Sequence, residues 1–312
     1  MSRTILVTIC AAIFLVQVVY GDGTGTGFDY SEGPHGPEHW GGICLTGTRQ
    51  SPIDIVKSDI VAENSLEPLK TQYVPDDASI TRNPTNLQLE VQADPKIPFG
   101  TLTLQKDQLL DNSGQRLDGV VFDPNTTYTL GKFHFHAPSE HTINGQSFPL
   151  EMHLVHSNTA GTKTVIGILF KEGAENEFLA EFWNFLPNLT TTPNTTIDLS
   201  KLPLGSSYAR YEGSLTTPNC SETVHWIVLL NDKITMSTAQ IAAYKKYFPN
   251  ANNRPIQPLN GRKVVMYGTF PSNFVDSSSS SSARTSKAAS SFWIGLLLSG
   301  LIYNSIKSLF TL

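Results

Sequence analysis

Between Phe133 and His156 the chain reads FHFHAPSEHTINGQSFPLEMHLVH. His134 and His136 alternate with Phe133 and Phe135, the period-two pattern of a strand with imidazoles on one face and phenyl rings on the other. A turn-rich segment marked by Asn144-Gly145 follows. A second alternating run then begins at Glu151, in which Glu151, His153 and Val155 share one face. If the two runs pair antiparallel, His153 faces His134 and His136, because opposed side chains stand roughly 5 Å apart. Three neutral imidazoles converging from a rigid sheet have the chemistry of a zinc site with one coordination position open. An H-x-H strand is also what a merely polar sheet face looks like. The neighbouring carboxylates, Glu140 and Glu151, favour the metal, since a ligating histidine normally gives its second N–H to a carboxylate or carbonyl. Glu151 shares the His153 face and can accept that bond.

Further segments extend the pattern: GPEHW at 36–40, QSPIDI at 50–55, LDG at 117–119, YEGSLTTPNC at 211–220, HWIVL at 225–229 and NNRPIQPLNGR at 252–262. With FHFH, SEHT and EMHLVH they make a combination that resembles the alpha-class carbonic anhydrases from about Phe28 to Phe270. The resemblance implies Zn2+ on His134, His136 and His153, with Glu151 behind them, and interconversion of carbon dioxide and bicarbonate. It implies that Thr216 accepts a hydrogen bond from the metal-bound nucleophile and donates its own hydroxyl proton to Glu140, while Thr217 contacts substrate or product. It assigns the apolar wall for carbon dioxide to Val155, Val165, Leu215 and Trp226. Val155 also follows from sharing a strand face with His153.

Two departures bear on chemistry. Thr85 stands where fast members carry a histidine that exports protons; threonine does not titrate near neutral pH, so slower, buffer-dependent turnover is expected. Lys132 stands where the family often has Gln, whose carbonyl accepts from the first ligand histidine, and a protonated lysine has no acceptor. Ala137, where many animal members have Trp, changes packing and not ligands.

The elements that must position these residues are mainly strands. Alternating runs recur at 87–91, 100–104, 120–122, 164–170, 223–229 and 263–270 between turn signals, predicting an extended, mainly antiparallel sheet. Helices are expected at Glu175–Phe185 and Ser237–Tyr247, the second with Ser237 as N-cap. The resemblance implies a mainly β fold: one domain, at 22–272, on a large twisted, mostly antiparallel sheet with small surface helices.

Both ends differ from this body. Arg3 followed by the uncharged apolar run Ile5–Tyr20 predicts a signal peptide over 1–21; an uncleaved anchor is the alternative. A Ser-rich spacer at 273–291, including the pure serine run Ser277–Ser282, precedes a hydrophobic tail at 292–312. Its apolar stretch, Phe292–Tyr303, is shorter than the roughly 20 residues of a membrane span, so a glycosylphosphatidylinositol anchor attached within Ser278–Ala283 is expected. A single transmembrane span or plain secretion are the alternatives. With Cys10 in the leader, Cys44 and Cys220 are an even pair in an oxidising compartment, which predicts a disulfide. Asn125, Asn188, Asn194 and Asn219 begin glycosylation sequons; in the last, the middle residue is Cys220.

A net charge of −5 gives no footprint for nucleic acid. HExxH is absent, which speaks against a zinc peptidase. A catalytically silent binding protein on the same fold would lack a ligand histidine, and all three are present; a mineral-matrix protein would carry long acidic or repetitive tracts. The sequence names no protein partner.

Overall fold

The computed structural model describes residues 27–62, 66–83, 88–94, 98–105, 125–189 and 194–274. The expected signal peptide, Thr85, the LDG and VVF segments, the anchor site and the hydrophobic tail lie outside them.

The strands are β1 (Asp54–Ile55), β2 (Ile60–Ala62), β3 (Lys70–Tyr73), β4 (Asp76–Arg82), β5 (Leu89–Ala93), β6 (Gly100–Gln105), β7 (Asn125–His136) and β8 (Thr142–Ile143). They continue as β9 (Leu150–Ser157), β10 (Lys163–Glu172), β11 (Asn194–Ile197), β12 (Tyr208–Gly213), β13 (Val224–Leu229), β14 (Thr235–Met236) and β15 (Val264–Tyr267). Thirteen of these described strands form one sheet whose main path runs β11-β4-β5-β7-β9-β10-β13-β12-β15-β2. β1 and β8 make a small parallel pair of their own.

The sheet is mostly antiparallel, as expected, but mixed, because parallel pairs interrupt it. β10 pairs with β13 in parallel at its centre, and β15 pairs with β2 in parallel at one edge. The reason is the path of the chain. After β10 it leaves the sheet, adds a helix and β11, and comes back down β12, so the turn into β13 restores the direction of β10. β10 and β13 are buried along nearly their whole length, which is why both read as continuous apolar runs.

Alternation sorts the side chains onto two faces. Phe133, Phe135, Met152, Leu154, Ile166 and Ile227 point into the larger core. Two helices cover that core: α2 (Glu177–Trp183) and α3 (Thr238–Tyr247), which follow the short α1 (Ile43–Thr46) in the chain. Phe178, Trp183 and Tyr244 are their buried contacts. α3 starts where expected: Ser237 accepts from Gln240 N at 3.2 Å and the Gln240 side chain accepts from Ser237 N at 3.0 Å, a reciprocal cap that satisfies two otherwise orphaned donors. α2 is shorter than its pattern at both ends; its start is set by Asn176, whose Oδ1 accepts from Leu179 N at 3.1 Å.

Val165, Trp226, Val228 and Tyr211 point to the opposite face, where Ile53, Ile55, Phe148, Phe270 and Phe274 close a second core. Packing thus runs two residues past the expected domain end at 272. Cys44 and Cys220 form a disulfide across a sequence separation of 176. In the chain-entropy view, closing so long a loop is worth about 5 kcal/mol. Among the described residues, no helix is long and apolar enough to cross a membrane.

Candidate active site

β7 and β9 pair antiparallel with His134 opposite His153 and His136 opposite Glu151. Register alone therefore gathers the three imidazoles on one face, with ring centroids 4.7 to 5.1 Å apart. One nitrogen from each ring lies within 4.8 Å of the other two. His134 Nε2 and His153 Nδ1 are 3.3 Å apart. Two nitrogens at tetrahedral corners 2.0–2.1 Å from a zinc ion would be about 3.3–3.4 Å apart, so this pair already has the right spacing for a metal.

What stands behind the rings decides which nitrogen is free. His136 Nδ1 donates to Asn252 O at 2.7 Å, leaving Nε2 with a lone pair directed inward; the Gln88 amide nitrogen sits 3.2 Å from it. His153 Nε2 donates to Glu151 Oε1 at 2.8 Å, which frees Nδ1. Burial, with the neighbouring rings adding to it, holds His134 well below the usual imidazole range and His136 down to about 3. Burial lowers His153 too, against the pull of Glu151. All three rings are neutral at pH 7, the form a metal requires.

Glu151 is the hub of this arrangement. Its Oε2 accepts from Glu140 N and His141 N, each at 2.8 Å, and its Oε1 accepts from His141 Nδ1 at 2.7 Å as well as from His153. Burial alone would raise its carboxyl, but His141 and His153 outweigh burial and hold it well below the ordinary carboxylate range. His141 Nε2 continues the chain of bonds to Tyr211 Oη at 2.7 Å. Gly167 makes room for the hub: a Cβ there would meet Glu151 Oε1 at 2.9 Å.

Glu140 lies on the loop after β7. Its Oε1 accepts from Arg254 N at 2.9 Å and stands 3.4 Å from His136 Nδ1. Burial raises its carboxyl well above the usual range, opposed by Arg254 N and by the Thr216 hydroxyl beside it. Oε2 is buried with no partner at hydrogen-bonding geometry. Arg254, lowered to about 10 chiefly by burial, ties the loop to Gln50, Ser51 O and Cys44 O at 2.7 to 2.9 Å.

Val155, Val165, Leu215 and Trp226 all fall in the apolar cluster on the imidazole side of the sheet. Trp226 packs edge-on against His153, with centroids 4.8 Å apart. Its Nε1 donates to Ser214 O at 3.0 Å and so fixes the loop that carries Leu215, Thr216 and Thr217. Thr217 O accepts from Cys220 N at 2.8 Å, which couples the loop to the disulfide. Asn219 is exposed; the side chains of Asn125, Asn188 and Asn194 lie outside the described residues.

Residue-by-residue reading missed Asn252, Arg254, His141, Gln88 and Gly167. His141 stood inside SEHT, and Asn252 and Arg254 inside NNRPIQPLNGR, but only as motif letters. Gln88 and Gly167 carried no signal of their own.

The pattern of eukaryotic-type carbonic anhydrases matches residues 35–268. A carbonic anhydrase of Klebsiella pneumoniae is 38% identical over 244 residues, 75% of this chain and 89% of that protein. Among solved structures, the alpha-carbonic anhydrase of Thermovibrio ammonificans in complex with sulfanilamide is 37% identical, with a TM-score of 0.63 over 77% of this chain and 99% of that one. A dioscorin complexed with ascorbate is 30% identical, with a TM-score of 0.64 over 77% and 97%. A chain whose neutral imidazoles, carboxylate hub and apolar wall sit on this fold, and which matches these proteins over most of their length, belongs to the alpha carbonic anhydrases.

Proposed function

We propose that this carbonic anhydrase is a zinc enzyme working on carbon dioxide and bicarbonate at the outer face of the cell, held there by a lipid anchor. The observation that carries the zinc reading is the 3.3 Å spacing of His134 Nε2 and His153 Nδ1 between neutral rings, with two of the three rings oriented from behind by Asn252 and Glu151. His134, His136 and His153 would hold the ion. Bound zinc supplies a double positive charge that makes a water nucleophilic at neutral pH.

The chain's own residues do the rest. Glu151 keeps the His153 proton on Nε2, so Nδ1 stays a donor of its lone pair. Glu140 stands 3.9 Å from the inward His153 Nδ1, so a dication held by the three histidines would favour the ionised form of its raised carboxyl. An ionised carboxylate only accepts. Thr216 then gives Glu140 its hydroxyl proton and turns its lone pairs toward the reacting water. Val155, Val165, Leu215 and Trp226 offer carbon dioxide an apolar surface beside the imidazoles, and Thr217 faces the product.

The extracellular reading is supported by the leader-like start, the four sequons and the Ser-rich spacer before a short apolar tail. The Cys44–Cys220 disulfide fits an oxidising compartment. The test uses full-length chain expressed in eukaryotic cells. Carbon dioxide hydration, followed by stopped flow, should vanish on zinc removal and return with zinc, and a phospholipase specific for glycosylphosphatidylinositol should release activity from the cell surface. Folded protein that binds zinc without hydrating carbon dioxide overturns the catalytic reading. Activity that stays on the cells after the phospholipase overturns the lipid anchor and leaves a transmembrane span.

A further inference from the structure

The three imidazoles are not held alike. His136 and His153 each donate their outer N–H to an oxygen, at 2.7 and 2.8 Å. His134 Nδ1 is buried and has no protein hydrogen-bond partner. An acceptor of the right kind is nearby: Glu90 on β5 stands directly opposite His134 on β7, so both side chains point to the same face with Cα atoms roughly 4.5–5.5 Å apart. Its carboxylate is taken by another residue. Lys132, two positions before His134 and on the same face, places Nζ 3.1 Å from Glu90 Oε2. The Glu90 side chain is 13% exposed and that of Lys132 41%, so the contact lies at the inner edge of the site wall. The register of β7 against β9 shifts between Leu130 and Lys132, and bulges of this kind re-aim the side chains that follow them.

We propose, building on the zinc reading, that Lys132 is a positioning residue that sets how fast the metal leaves. By engaging Glu90 it withholds from His134 the carboxylate that would complete the ring's second bond. A ligand histidine without that bond is a weaker base and a less fixed ring, and loss of such outer partners typically costs about 10–100-fold in metal affinity. Lysine itself cannot substitute, having three donors and no acceptor.

The test is the rate of zinc release from the loaded, full-length protein into excess chelator, with thermal unfolding as a check on the fold. Lys132→Met frees Glu90 to turn to His134, and Lys132→Gln supplies a carbonyl in its own right. Both should slow release by roughly 10–100-fold. Lys132→Arg keeps Glu90 engaged and should release zinc at the wild-type rate. Adding Glu90→Leu to Lys132→Met removes the acceptor altogether and should return most of the lost speed. Folded Lys132→Met protein that releases zinc as fast as wild type overturns the proposal. Wild-type protein that takes up no zinc overturns the zinc reading itself, and the proposal with it.

Discussion

Glu151→Gln is the sharpest probe of the hub. The wild-type carboxylate accepts four bonds, two from backbone N–H groups at 2.8 Å and two from ring N–H groups at 2.7 and 2.8 Å. An amide has one oxygen and one NH2, so one pair of donors must face another donor. If the NH2 faces the backbone pair, two buried N–H groups go unsatisfied at about 1–3 kcal/mol each. If it faces the rings, they can escape by moving their protons, His141 to Nε2 and His153 to Nδ1. For His153 that protonates the very nitrogen that lies 3.3 Å from His134 Nε2. The substitution therefore costs either folding stability, about 2–6 kcal/mol, or metal affinity, about 10–100-fold. A tenfold weaker zinc constant removes about 1.4 kcal/mol of zinc-induced stabilisation. In a domain of this size 1 kcal/mol moves the midpoint by roughly 2–4 °C. Thermal unfolding of metal-free and zinc-loaded protein separates the two costs. Wild-type midpoints in both states, with the zinc increment intact, would refute the assignment of Glu151 as the hub.

Two further outcomes follow from named groups. Burial lowers His156 to about 4, although its Nδ1 donates to Leu154 O and its Nε2 meets Tyr73 Oη. Its unfolded value is about 6.5, so the unfolded chain binds more protons between the two. The stability this ring contributes is whole above pH 6.5 and is lost as pH falls towards 4, in total about 3 kcal/mol. His156→Gln should therefore lose that much less than wild type in denaturant unfolding between pH 7 and pH 4; parallel curves would refute it. Thr85 predicts turnover limited by proton export: small imidazole buffers should raise the rate in weakly buffered solution, and Thr85→His should raise it without them. A wild-type rate indifferent to imidazole would sink that reading.

The imidazole face was legible because a strand imposes period two. Once Phe133–His136 and Glu151–His156 were read as paired strands, three imidazoles and Glu151 had to share a side, and β7 and β9 pair with His134 opposite His153. The larger core was legible for the same reason, from the alternate letters of the same runs. The parallel pairing of β10 with β13 was not, because it depends on the excursion of the chain between them and leaves no periodicity in either strand. Nor were the groups behind the rings. Asn252 meets His136 across 116 positions and Arg254 meets Glu140 across 114; no local pattern relates residues so far apart.

Gly167 shows the same limit in another form, since its role is the space it leaves for Glu151, and an absent side chain has no signature in a strand of apolar letters. Lys132 marks where the two kinds of information meet. Its lack of an acceptor is a property of the residue type and can be read from the sequence. Its engagement with Glu90, and the bond that His134 lacks, depend on β5 lying beside β7 in one particular register. A slip of one residue there would move Glu90 to the other face, so Lys132 can hold that carboxylate away from His134 only because the sheet brings three separate side chains to one row.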